Sequence, residues 1–502
     1  MNGQVPHALA GNRLGVAGVL FFALAAPAPV AVVALGVPTA YAGGLLVVPL
    51  AFLAVGLVLL VFSVGYAAML RRARTAGAIY SVVARGLGRP LGVSAGWVAL
   101  LSYTALQIGL YGAAGVAARP VLSGQFGIDV PWWQVALACW VVVALLGLVR
   151  IDVAGLLLAV FVLAETVIIV GFSAADLLDP GAGGITAPAL NLSHLDRPAL
   201  GLLLIGAALA FAGFETTAAY AEEARRPRRA ITHATYLAVL ILTVLYGGAA
   251  WAMSVGAGPD LAAVAAARGQ ETMFDLAAAR LTPWAVTLGR IVLLTGVVAA
   301  MVALHHTIAR YMFALGRDRV LPGGLGRTAP RTLAPRAASL TQTLVMGLVI
   351  GGCAYLDLDP QTQLARRLGV SGGIGILLLL IAASLAALLF LNRAPDGENA
   401  WRRFVAPGLA TVAFGTLGYL ALVDFAELLG VRDGDPLTWI VPGVFGAAVL
   451  LGLCYALILR KIRPIVYAGI GLGGTAVVVS PVPPPATRQR TPGAHRPERL
   501  NR

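Results

Sequence analysis

Residues 200–223 read LGLLLIGAALAFAGFETTAAYAEE, and their centre is Phe211-Ala212-Gly213-Phe214-Glu215. About 20 apolar residues suffice to cross a bilayer as a helix, yet this run carries a glycine and a carboxylate two-thirds of the way along. A charge at that depth costs on the order of 3 kcal/mol on insertion scales, so it is expected to face a protein-lined or watered cavity. Gly213 lets the backbone unwind, and the amides and carbonyls so freed must find partners inside the protein. The stretch therefore predicts a membrane helix interrupted near mid-bilayer, with Glu215 at the interruption.

The rest of the chain has the composition of a membrane protein. Its 502 residues are 59% hydrophobic and 12% charged, with a mean hydropathy of +0.86, too apolar for a water-soluble globule. Apolar runs of spanning length lie near 12–36, 44–70, 92–118, 132–149, 153–173, 198–221, 231–256, 283–311, 336–356, 370–391, 404–426 and 438–460. The reading is an all-α polytopic protein of 12 transmembrane helices, with no strand alternation to compete. The net charge of +14 is topological. With the N-terminus inside, most basic residues fall in cytoplasmic segments and most acidic ones in external loops. That is the positive-inside asymmetry; it puts both termini in the cytoplasm and removes the case for a nucleic-acid partner. Cys139, Cys353 and Cys454 sit singly in different spans, without disulfide or metal-ligand spacing.

A second interruption falls in span 1, RLGVAGVLFFALAAPAPVAVVAL (13–35). Pro27 and Pro29 each remove an amide donor and obstruct the preceding turn, and proline suits the first position of a new helical segment. A second half-helix is expected over Ala28–Leu35, with a simple kink as the alternative. Ala40-Tyr41-Ala42 resembles a signal-peptide cleavage site, but the apolar run is too long and carries central prolines. Interruptions in spans 1 and 6, five helices apart, point to an inverted-repeat transporter. The repeats would cover about 13–175 and 198–392, with spans 11 and 12 (about 404–460) appended. Residues 1–12 read as a loose N-terminal segment and 461–502 as a largely disordered cytoplasmic tail.

Several smaller features fill in the picture. Tyr103, Gln107 and Tyr111 are spaced i, i+4, i+8 on one face of span 3, either as helix glue or as a pocket wall. Gly77, Gly86, Gly88, Gly92 and Gly96 suit close packing in a short segment before span 3. Gly86 and Gly88 beside Arg85 and Arg89 make no phosphate loop, because no strand precedes and no Lys-Ser/Thr follows. Trp132, Trp133 and Trp439 suit a membrane interface. Glu165 lies in unbroken span 5, which favours a structural pairing over proton movement. Residues 221–229, AEEARRPRR, read as an orientation signal with local ion pairs. Residues 257–282 look like a helical cap on the outer mouth, whose closing would exclude water. Adjacent His305 and His306 cannot face the same way, so at most one lines a pathway. Nothing supplies further metal ligands.

Three stretches then resemble the amino acid–polyamine–organocation (APC) superfamily of permeases. Gly77, Tyr80, Leu87, Gly88, Gly92, Gly96 and Trp97 match its signature before and into span 3. Phe211, Gly213, Phe214, Glu215, Glu223, Pro227 and Arg228 match its F-x-G-F-E…E…P-R segment. Arg310, Phe313, Ala314, Arg317, Asp318, Leu321 and Pro322 are similar to its R-x-x-F-A-x-x-R-D-G-x-L-P stretch. The likeness covers about residues 13–460. Four departures stand out: Ala25-Ala26-Pro27-Ala28-Pro29 replaces a glycine-rich break, span 5 has no lysine, Arg319 replaces a glycine and Thr232 a proline.

The resemblance implies a leucine-transporter-like fold with a five-plus-five inverted repeat. It also implies a plasma-membrane secondary transporter moving amino acids or related organic amines by alternating access. Positive half-helix ends would face a substrate carboxylate, with Ala28 and Val30 as candidate donors. The expected substrate-binding set is Ala25, Ala26, Pro27, Ala28, Val30, Tyr103, Gln107, Phe211, Ala212, Gly213 and Phe214. Glu215 and Glu165 are the candidates for proton coupling or gating, giving proton symport or exchange in preference to sodium symport. No cofactor and no metal are expected. A non-transporting sensor is the alternative; a membrane-embedded enzyme would need clustered catalytic groups, and no such cluster is visible.

Overall fold

The computed structural model describes residues 8–473 apart from 45, 73–76, 186, 192, 194–196, 331 and 396. The membrane helices are Val16–Ala42 (interrupted), Val48–Leu70, Arg89–Phe126, Trp132–Leu146, Ile151–Leu178, Leu200–Tyr220 (interrupted), Pro227–Ala257, Pro283–Arg317, Arg336–Tyr355, Pro360–Arg393, Trp401–Val423 and Leu437–Ile462. They are numbered spans 1–12. Eleven are long and apolar enough to cross a membrane; Trp132–Leu146, with 15 residues, is about 22 Å long and short of the roughly 30 Å hydrocarbon core.

Burial sorts the spans into a centre and a periphery. Across its most apolar window, span 6 is 67% buried and span 12 only 17%. Leu156, Val167, Leu348, Val412 and Leu451 are large, apolar and exposed on spans 5, 9, 11 and 12. In water such faces would aggregate; in a bilayer they meet lipid.

Span 1 is severed where its prolines fall. A helix runs over Val16–Ala25, Ala28 takes a left-handed conformation with φ +53°, and helical backbone resumes at Pro29. The second half begins one residue later than the sequence suggests and is longer, reaching Ala42 through a π-turn at Val32–Gly36. Span 6 runs as a helix over Arg197–Ala210, turns through Phe211–Gly213, and continues as a tight 3-10 helix over Phe214–Tyr220.

Described segments near both ends of the membrane domain are held in place. Of residues 1–12, expected to be loose, Leu9 and Ala10 are buried and Leu9 packs with Phe313 and Ala338; just beyond them Leu14 pairs with Ala224 in an isolated parallel bridge. Main-chain bonds between strands are specific in register, a signal with no counterpart in hydropathy. After span 12, residues 464–469 form a short helix. The Gly471 amide then donates to the Tyr80 hydroxyl (3.1 Å) and to Asp318 Oδ2 (2.9 Å). Asp318 lies just beyond span 8; its burial raises its pKa above the ordinary carboxylate range. The rest of the expected tail, 474–502, lies outside the described residues. The cap over 257–282 contains the helices Leu261–Arg268 and Thr272–Ala278.

Candidate substrate site

The two interruptions touch. Gly213 has φ +120°, a conformation open to glycine and strained for other residues. A Cβ built on it would lie 2.7 Å from the Ala26 Cβ and 3.2 Å from Pro27 Cδ. Glycine is needed here both for the turn and for the approach of span 1. Ala25, Ala26, Ala28, Val30, Phe211, Ala212 and Phe214 are all buried around this crossing.

Each interruption presents a backbone amide, and each amide holds a carboxylate. The Val30 N–H, at the start of the second half of span 1, donates to Glu165 Oε2 of span 5 at 3.0 Å. The Gly213 N–H donates to Glu215 Oε2 at 2.9 Å. Amides at a helix start carry partial positive charge and favour an anion. The remaining candidate donor, the Ala28 N–H, is used by the Ala25 carbonyl (3.0 Å).

The two carboxylates differ in how completely they are bonded. Glu215 is fully buried and uses both oxygens, since Oε1 accepts from the Tyr103 hydroxyl at 2.8 Å. The Tyr66 hydroxyl donates to the Glu215 carbonyl at 3.3 Å. The Tyr103 ring lies 5.5 Å from that of Tyr311, whose hydroxyl accepts from the Ile79 N–H at 3.3 Å. Glu165 is also fully buried, but among the described residues its Oε1 has no hydrogen-bond partner. Span 8 accommodates the carboxyl at Gly296, where a Cβ would lie 2.7 Å from Glu165 Cδ.

Of the other expected site residues, Phe211 packs on Phe52 and Tyr246, and Phe214 on Phe62. Gln107 is engaged elsewhere: its Oε1 accepts from Gln342 of span 9 at 2.9 Å. The i, i+4, i+8 stripe thus serves two neighbours, Glu215 at one end and span 9 in its middle. The histidines diverge as expected. His305 bonds Ser339 at 2.9 Å, whereas the His306 ring lies edge-on to Phe22 of span 1, 5.7 Å away. Among the described residues no group of three or more His, Cys, Asp or Glu could hold a metal.

The charge cluster after span 6 does more than set orientation. Its acidic residues make long-range pairs with span 8, which ends beside it. Arg310 grips Glu223 with two bonds, Nε to Oε2 at 2.6 Å and a terminal nitrogen to Oε1 at 2.9 Å, with both side chains almost fully buried. Arg317 grips Glu222 the same way at 2.9 and 2.6 Å. The Glu223 carbonyl also accepts from the Arg13 and Leu14 amides at 2.8 and 3.0 Å. Spans 1, 6 and 8 are therefore latched together where residues 13 and 14 meet Glu223. An arginine within an apolar helix and a glutamate after a broken one were the available signals, but nothing in the sequence says that they meet.

The chain's likeness to known proteins agrees with this geometry. The family model for amino acid permeases matches residues 18–463. Over 387 residues the chain is 28% identical to an uncharacterized transporter of Mycobacterium tuberculosis, Rv1999c, covering 75% of this chain and 80% of that one. Over 234 residues it is 24% identical to the branched-chain amino acid permease BcaP of Bacillus subtilis, a match spanning 43% of this chain and 45%, under half, of that permease. The twelve helices and two broken spans fit the leucine-transporter-like fold, and the chain belongs to the amino acid permease family.

Proposed function

We propose that this multi-pass membrane protein takes up small neutral amino acids by proton-coupled symport or exchange. The amino acid's carboxylate sits at the start of the second half of span 1, at Val30. Carbonyls freed just before each break accept its amino group. The observation that carries this reading is that the two broken spans touch at Ala26 and Gly213 while each offers a backbone amide that already binds a carboxylate. A site that holds anions of its own is built for the anionic end of a zwitterion. Its apolar surroundings, Phe211 and Phe214 above all, favour an aliphatic side chain, in line with the substrate named for the Bacillus relative.

Glu215 fits a latch. With both oxygens satisfied, it ties span 6 to Tyr103 of span 3. In this reading both termini, and with them the Arg310–Glu223 grip, face the cytoplasm, which the positive-inside asymmetry supports. Release to the cytoplasm then requires that grip to open. Breaking a buried ion pair without new partners costs about 3–5 kcal/mol, so the pair holds the inner side shut.

The test is reconstitution of the full chain in liposomes, with a panel of labelled neutral amino acids and amines and an imposed pH gradient. Accumulation that follows the gradient supports the proposal. Ligand binding without flux would instead mark a sensor on the same fold, a reading that no observation above favours. An enzyme has still less support, since the family match is to permeases.

A further inference from the structure

The proposed transport cycle leaves the membrane carboxylate Glu165 without a task. It lies at the N-terminal start of a half-helix that runs 14 residues, from Pro29 to Ala42. It is fully buried, accepts the Val30 N–H with Oε2, and leaves Oε1 bare. Its neighbours supply no cation. Span 1 faces it with the uncharged Val30 amide and span 8 with Gly296. Span 7 faces it with the hydroxyl of Tyr246, itself without a hydrogen-bond partner. The next acid along span 5, Asp176, is paired with Arg280 at 3.4 Å. Of the cap helices, Thr272–Ala278 meets span 5 through Phe274 and Phe172.

We infer that Glu165 is a place-holder for the substrate's carboxylate: it occupies the Val30 amide until an amino acid arrives, then takes up a proton and yields that amide to the incoming anion. The inference rests on the binding site proposed above. One N–H cannot serve two carboxylates, and two negative charges at hydrogen-bonding distance in a low-dielectric interior repel strongly. Protonation of Glu165 removes the clash. A proton from the open side bonds to a Glu165 oxygen, the Val30 N–H···O contact to Glu165 breaks, and a new one forms to the substrate. The zwitterion adds no net charge and the site gains one proton. On the other side the amino acid leaves, Glu165 releases its proton, and its carboxylate returns to Val30. One proton then travels with each amino acid. The bare Oε1 is where a proton can add without displacing an existing bond.

The test is calorimetric titration of the detergent-solubilised full chain in two buffers of different ionisation enthalpy. The probe is L-leucine, or whichever standard amino acid raises the melting temperature most. The inference predicts uptake approaching one proton per amino acid bound on the alkaline side of the Glu165 titration. There the affinity should weaken toward about tenfold per pH unit, the slope of one linked proton. Glu165→Gln should bind with neither proton uptake nor slope. Binding without proton uptake at any pH, or uptake undiminished in Glu165→Gln, overturns the inference while leaving the binding site standing. Should the Gln variant not fold, the wild-type titration alone decides. If no amino acid binds, the site itself is misassigned and the inference falls with it.

Discussion

The interruptions in spans 1 and 6 do the same work by different chemistry. In span 1 two prolines flank a left-handed alanine, and the exposed amide is capped by a carboxylate 135 residues away. In span 6 one glycine makes the turn, and the cap comes from two residues further on. The local cap is also the more fully bonded, because Tyr103 takes its second oxygen. A self-capped turn is fixed as soon as its own segment folds. A borrowed cap depends on another helix, and a contact between two helices is one that can be exchanged during a transport cycle.

The largest effect should come from forcing the two turns apart. Gly213→Ala adds a methyl group at φ +120°, 2.7 Å from the Ala26 Cβ, where strain and overpacking together cost above about 3 kcal/mol. Uptake should fall to background, and the melting temperature should drop with it.

Removing the caps comes next and should separate the two turns. Glu215→Ala strands two donors, the Gly213 amide and the Tyr103 hydroxyl, whereas Glu165→Ala strands one. At about 1–3 kcal/mol for each buried unsatisfied group, chemical or thermal unfolding should show Glu215→Ala to be the more damaging. Equal losses would mean that the two caps are alike. Tyr103→Phe is a smaller change, costing about 1–2 kcal/mol and leaving Glu215 Oε1 bare. The turn of span 6 then matches that of span 1, and uptake by this variant should become more sensitive to pH than that of the wild type.

A third cap, far from the crossing, sets the lower end of the scale. Asp359 begins span 10 by accepting the Gln361 and Thr362 amides. The Thr362 amide and hydroxyl hold its carboxyl below the ordinary range. Because the folded pKa is lowered, this stabilisation is present above the unfolded value of about 4 and is lost as pH falls through the folded one. Asp359→Ala should cost about 1 kcal/mol in unfolding experiments and leave uptake unchanged.

The contrast between the turns also marks what could be read in the sequence. Pro27, Pro29 and Gly213 act on their own backbone, so both interruptions were legible to within a residue or so, and with them the helical architecture. Glu215 was legible because it sits beside the turn it caps. Glu165 was visible as a membrane carboxylate, but its bond to Val30 joins residues that no periodicity connects. The same limit hid the partner of Gln107 in span 9. It also turned Glu222 and Glu223 into apparent local ion pairs when span 8 supplies their arginines. The docking of residues 9–14 was hidden for a related reason: main-chain pairing with residues 223–225 needs no particular side chain.

The most direct measurement is an electron cryo-microscopy structure of the full chain with a saturating amino acid bound. The account predicts density for the amino acid beside the Ala26–Gly213 crossing, its carboxylate accepting the Val30 N–H and Glu165 turned away. An amino acid bound elsewhere, or one bound here with the Glu165–Val30 contact intact, would contradict it.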